Sequence, residues 1–393
     1  MKTELTAALI KELATEAPTP AVDIGIRAGV DTLHPLYRSQ VVTSFASWNV
    51  LDLFNHKEVR SSIVKALQDY SGGSSASGRF VGGMGAIHST CEARMAAFLG
   101  AETGLLFSSR NQAVLTLITA LSKEGVVVIG PAMSTLPLAD ACALVELEYA
   151  EFETLDELRQ LFERYKTSKR VIVVGETVAA TSGKRLEVPL FLNIIEQNGA
   201  WGVLDESAAV AHSGLRGAGS AEQVPASPAL LARLCGCAAL CGLEIAAIVG
   251  PQELKELLIQ RSRYIRVEAP PANVLVAALA TAVDLVEVAI TQRDKLLVRS
   301  KMVHSAVRAQ GWSVVGQDDV PLVSIWFDTL SKAREVQEAL LQRGSVVESL
   351  AARSLRKNGA VVRVLLSSGH TDVEVARLLD GLLEIRKRLA GNL

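Results

Sequence analysis

No lysine occurs between Lys184 and Lys255. The gap encloses "LARLCGCAALCGLEIAAIVG" (231–250), a small, apolar, cysteine-dense strand–turn–strand segment whose lone acid is Glu244. An amine nucleophile is therefore excluded from it. Charge of one sign is also lacking: 40 basic against 42 acidic residues leave a net charge of −2, so nothing points to a nucleic-acid partner. Five cysteines, an odd count, do not make a disulfide framework. Cys235, Cys237 and Cys241 lack a fourth ligand nearby, so no metal is expected and they read as small thiols filling core space. "GLRGAG" (214–219) lacks the rest of a dinucleotide fingerprint. The opening "MKTELTAALIKELATEA" has the pattern of an amphipathic helix without a signal peptide's apolar core, and a cytoplasmic protein is expected. Asp284 and Glu287 interrupt the longest apolar run (273–290), which suits a buried helix better than a membrane span.

What is present is 49% hydrophobic residues against 21% charged ones in 393 residues, enough for one large domain and a smaller one. Short apolar strands at 125–130, 144–150, 170–176, 200–206 and 246–250 alternate with helical stretches such as 56–70, 91–100 and 111–123. Continuous β-branched strands of this kind predict an α/β, mostly parallel sheet covered on both faces. After residue 290 the pattern becomes a long helix, strands at 312–316, 322–327, 344–349 and 361–367, and a final helix. The expected organisation is a helix and arm over 1–45, a large domain over 46–290 and a small α+β domain over 291–393.

Six motifs in order carry a resemblance. "SWNVLDL" (47–53) is similar to S-x-N-Y-L-G-L. In "SGGSSASGRFVGGMGAIHSTCE" (71–92), Arg79, Gly83, His88 and Glu92 keep the spacing of a G-x5-R-x3-G-x4-H-x2-L-E run. "GAETGLLFSS", "GETVAATSG", "DESAAVAHSGLRGAG" and "RVLLSSGHT" follow at similar spacing. Together they resemble the α-oxoamine synthases, pyridoxal-phosphate enzymes of fold type I, the aspartate-aminotransferase-like fold.

The resemblance implies a lysine in T-L-S-K-A-L-G-x-x-G-G-Y-x-x-G, which falls on "GCAALCGLEIAAIVG" (236–250) with Gly242 and Gly250 in register. Ala239 then stands at the Schiff-base position, and alanine forms no imine. Two family histidines fall on Ala208 and Ser134, and the glycine–aromatic pair whose amides meet the phosphate becomes Arg110–Asn111. Asp205 keeps the carboxylate that pairs with the pyridinium nitrogen, as a vestige of cofactor binding, and Arg363 keeps the arginine that binds the amino-acid carboxylate. Arg79, His88 and Arg266 are candidates for a substrate or partner site.

Among family members the chain resembles the lysine-less, non-catalytic first subunit of serine palmitoyltransferase. The implied role is a subunit that is not catalytic alone and binds no cofactor covalently. It would support a lysine-bearing paralogue that carries pyridoxal phosphate and condenses an amino acid with an acyl-CoA or acyl-carrier-protein thioester. A stand-alone acyl- or amino-acid-binding regulatory pseudoenzyme is the alternative from a different class.

Overall fold

The computed structural model of the chain describes residues 25–29, 31–70, 77–353 and 358–391. The amino-terminal helix expected within 1–24, and residues 71–76 of the glycine-rich segment before Arg79, lie outside the described residues. A seven-stranded sheet forms the large domain: β1 Thr103–Phe107, β2 Val126–Pro131, β3 Glu148–Phe152, β4 Arg170–Glu176, β5 Trp201–Asp205, β6 Leu230–Gly236 and β7 Ala246–Gly250. Its order is β1-β7-β6-β5-β4-β2-β3. Pairing is parallel from β3 to β6, while β7 runs antiparallel to both of its neighbours, with Gly236 opposite Ala246 and Ala246 opposite Phe107.

The helices on the faces have local causes. Ser109 accepts from the Gln112 amide and starts α1, Arg110–Leu121. Thr154 does the same for α2, Leu155–Arg164, with Asp156 and Glu157 in its first turn and Arg164 in its last, as the helix dipole favours. Val128, Ile172, Val203 and Leu234 point to one face of the sheet, against Val114, Leu117 and Ile118 of α1. Val127, Ile129, Val173 and Leu204 face the other, under α2. Both faces are dry, which is why these strands read as unbroken apolar runs.

The turn between β6 and β7 is made by four helical residues, Ala238–Cys241, closed by Gly242 at φ 69°. A Cβ there would come within 3.1 Å of Phe54 Cβ, so left-handed backbone and lack of space both call for glycine. Cys235, Cys237 and Cys241 are fully buried free thiols in this core, and among the described residues no group of metal-binding side chains is found.

The run at 273–290 becomes helix α3, Asn273–Val288, which meets α4, Ile290–Ala309, at a 77° bend. No single helix among the described residues is long and apolar enough to cross a membrane. After α4, four strands, Val314–Val315, Leu322–Phe327, Glu348–Arg353 and Asn358–Leu365, make the sheet of the small domain, closed by the helix Asp372–Gly391. The described part of the arm is short strand rather than helix, and it joins this second unit: Thr43–Ser44 pairs with Ser345–Val346. His34 bridges Asp31 and Glu374 at 2.9 and 2.8 Å.

Candidate functional site

The carboxyl ends of β2, β4 and β5, the turn after β6 and the small-domain sheet enclose a cleft of about 390 Å³. Ala208, Arg110 and Arg363 from the sequence reading line it, joined by Trp48, Asn111, Thr135, Ser207, Gly236, Ala238, Glu244 and Glu348, and Asp205 lies just behind, against Arg110. No lysine is among the described residues that line it.

Asp205, the last residue of β5, is almost fully buried. Its Oδ1 accepts from the Ser207 amide at 3.0 Å and from the Ser207 hydroxyl. Its Oδ2 lies 3.6 Å from Nη1 of Arg110. Arg110, the first residue of α1, reaches across the cleft and donates from Nη2 to Thr135 Oγ1 at 2.8 Å. Its stem lies on the backbone of Gly236, where a Cβ would come within 3.0 Å of Arg110 Cδ. At the same end of α1, Glu244 Oε1 accepts from the Arg110 amide at 3.2 Å, while Ser109 Oγ takes that of Gln112 at 3.1 Å. The positive end of the helix is thus answered by a carboxylate of this chain.

Arg363 is buried and equally engaged. It donates from Nη1 to the Ala180 carbonyl at 2.9 Å, pairs through Nη2 with Glu348, and lies 4.9 Å from the centre of the Trp48 ring. Its Nε has no partner.

Ser134 donates to Glu176 Oε1 at 3.0 Å. Glu176 ends β4 and is pushed up to about 7, first by burial and then by the charge of Asp205, against Arg110 and hydrogen bonds from Ser134 and Thr135. It lines a second cavity of about 410 Å³, walled also by Met133, Phe152, Trp326 and Val361. Ala208 lines the cleft, and its carbonyl accepts from Nε2 of His212, a buried imidazole that desolvation lowers to about 4.

Arg79 and His88 are structural instead of facing this cleft. Arg79 Nη1 meets Glu92 Oε1 at 2.7 Å, and Lys255 Nζ holds Glu92 Oε2 at 3.2 Å, all under the strand end at Leu106. His88 accepts from the Gly85 amide through Nδ1 at 3.1 Å and donates from Nε2 to the Pro271 carbonyl at 2.8 Å, which fixes its neutral tautomer. Arg266 is exposed on a short helix, Arg263–Val267, away from the cleft. The glycine register puts Ala239 at the lysine position. In the structure the short helix turns Ala239 inward, to 1% exposure, and it is Ala238 that lines the cleft. Either way the side chain is a methyl group. The residues that sequence reasoning left unassigned are Trp48, Glu348 and the pairing of Arg110 with Asp205. The lone acid at 244 was the available signal for the other partnership.

Pyridoxal phosphate, the group that the fold implies, needs an amine, a free carboxylate for its ring nitrogen and free amides for its phosphate. The residues present do not fit it: no lysine is among the described residues of the cleft, Arg110 pairs with Asp205, and Ser109 and Glu244 take amides of α1.

The family described as aminotransferase class I and II matches residues 42–382, and the chain belongs to it. Its fold and motifs are those of the α-oxoamine synthases within that family. The 8-amino-7-oxononanoate synthase of Nitrosococcus oceani is 28% identical over 351 residues, spanning 88% of this chain and 91% of that enzyme. Among solved structures, the serine palmitoyltransferase of Sphingomonas wittichii superposes with a TM-score of 0.86 at 21% identity, over 99% of this chain and 98% of that one. A lysine-to-alanine variant of the S. paucimobilis enzyme, with a bound pyridoxal phosphate–myriocin aldimine, superposes with a TM-score of 0.87 at 20% identity and the same coverage. At such identity these two structures establish the fold.

Proposed function

We propose that this chain is the non-catalytic subunit of a heterodimeric acyltransferase of the α-oxoamine-synthase type. Its partner is a lysine-bearing paralogue that holds pyridoxal phosphate and condenses an amino acid with an acyl thioester. The observation that carries this is the pairing of Asp205 with Arg110, which lines a cleft with no lysine among its described residues. Loss of a lysine alone would be weak support, since the S. paucimobilis variant with alanine for lysine holds the cofactor as an aldimine. A counter-charge on Asp205 and a carboxylate at the start of α1 add two further departures from what a cofactor requires. A chain that keeps the large sheet and the small-domain sheet of its family while giving up this chemistry is suited to a subunit role. Two copies of this chain would make two dead sites, whereas one copy beside a lysine-bearing paralogue leaves one live site. In that assembly the exposed segment around Arg266 faces the partner, and Arg79 serves by shaping its loop.

The test is a pull-down of tagged protein from its native host, with absorbance recorded from 300 to 500 nm. A lysine-bearing paralogue in equal amount, with an aldimine band near ~420 nm, supports the heterodimer. A colourless protein eluting alone refutes it and favours a stand-alone binding protein.

A further inference from the structure

We infer that the cleft is closed by its own counter-charges, and that Arg110 is a plug whose removal reopens a site for a phosphorylated pyridine. Three preferences of the cleft are met from within the chain. Asp205, 3% exposed at the end of a strand, prefers a cation and has the Arg110 guanidinium. The start of α1, twelve residues long, prefers an anion and has Glu244 on the Arg110 amide. Arg363, 6% exposed, prefers a carboxylate and has Glu348.

Space alone does not decide the matter, because the cleft still holds about 390 Å³. What is used up is hydrogen-bonding and charge capacity. Arg110 spans three parts of the cleft at once: Asp205 at the end of β5, Thr135 after β2 and the backbone of Gly236 at the end of β6. Nε of Arg363, buried and without a partner, is a donor left over beside the cleft. A glycine at position 110 would clear the face of Gly236, free Asp205 for a pyridinium N–H and leave the α1 amides contested only by Ser109 and Glu244.

This inference goes beyond the heterodimer and does not depend on it, since it is tested on the isolated full chain. Pyridoxine 5′-phosphate is the probe, because it has no aldehyde and cannot form imines with surface lysines. Wild type, R110G and R110K are melted with and without it, and its binding is measured by equilibrium dialysis. The expected result is no shift of the melting temperature and no retention for wild type and R110K. R110G, by contrast, should bind at least roughly tenfold more tightly and melt higher with the probe. Equal binding by wild type and R110G overturns the inference, and so does a folded R110G that gains nothing. If R110G does not fold, a double-mutant cycle decides, with R110M, D205N and the pair together. Coupling, in which the pair loses clearly less than the sum of the singles, upholds the plug, and additive losses overturn it.

Discussion

Replacing Glu176 with glutamine should stabilise the protein above neutral pH and leave it unchanged in acid. Glu176 is 6% exposed, and its carboxyl is pushed up from 4.5 to about 7, by burial first and by Asp205 second. An acid whose folded value exceeds its unfolded one contributes stability that is full below pH 4.5 and is lost as pH rises towards 7. At about 1.4 kcal/mol per pH unit, the ionised Glu176 costs the folded chain about 3 kcal/mol at alkaline pH. Glutamine carries no such cost. Its amide oxygen can still accept from Ser134 and from the Thr135 amide, with the amide nitrogen turned towards the cavity behind it. His212 and His370 complicate the absolute curve, because both are lowered to about 4 by burial and lose stability as pH falls from 6.5. They are common to both proteins and cancel in the difference. Urea unfolding of wild type and E176Q across the range should therefore show a difference near zero at about pH 4, growing to about 3 kcal/mol in favour of E176Q by about pH 8. A difference that does not change with pH, or that favours wild type in alkali, would refute the assignment of Glu176 as a buried, reluctant carboxylate.

Lysine at position 239 should cost at least about 3 kcal/mol, because it buries an unpaired ammonium in the core, whereas lysine at 238 should cost less than about 1 kcal/mol on the cleft wall. Denaturant midpoints of A238K and A239K measure this, and the reverse order would mean that the short helix after β6 is turned by one residue. None of the five cysteines should react with an aryl disulfide in the native state, since all are buried, with Cys91 and Cys241 pushed up to about 12 by desolvation. All five should react once urea is added, and fast native labelling would contradict the packing. The clasp of His34 on Glu374 should loosen in alkali. Burial lowers the His34 value, but hydrogen bonds with Asp31 and Glu374 outweigh that and raise it above 6.5. The clasp is thus complete below pH 6.5 and lost as pH rises through the raised value. Limited proteolysis of the arm should accelerate over that range in wild type and show no such step in H34Q.

The sheet was legible because strands dry on both faces leave continuous β-branched runs, so 170–176 and 246–250 were readable to the residue. The antiparallel course of β7 was less so, since its residues are as small and apolar as any parallel strand's and its direction is set by the turn at Gly242. The cleft was legible in half. Loss of the lysine and of the phosphate-loop glycine shows in single positions, because each is the absence of one side-chain type. The gain that accompanies the loss is not local: Arg110 meets Asp205 across 95 positions of chain and Glu244 across 134. Read alone, an arginine at the first turn of a helix looks unfavourable for the dipole, and a lone acid among cysteines looks incidental. Together they satisfy each other's neighbourhood at the start of α1. Without Arg110, Asp205 would be buried with no counter-charge, at a cost of several kcal/mol. Arg79 and His88 show the converse, since motif spacing alone does not tell a ligand-facing arginine from one that holds Glu92 beneath a strand. Only the fold, by deciding which side chains share a wall, separates the two roles.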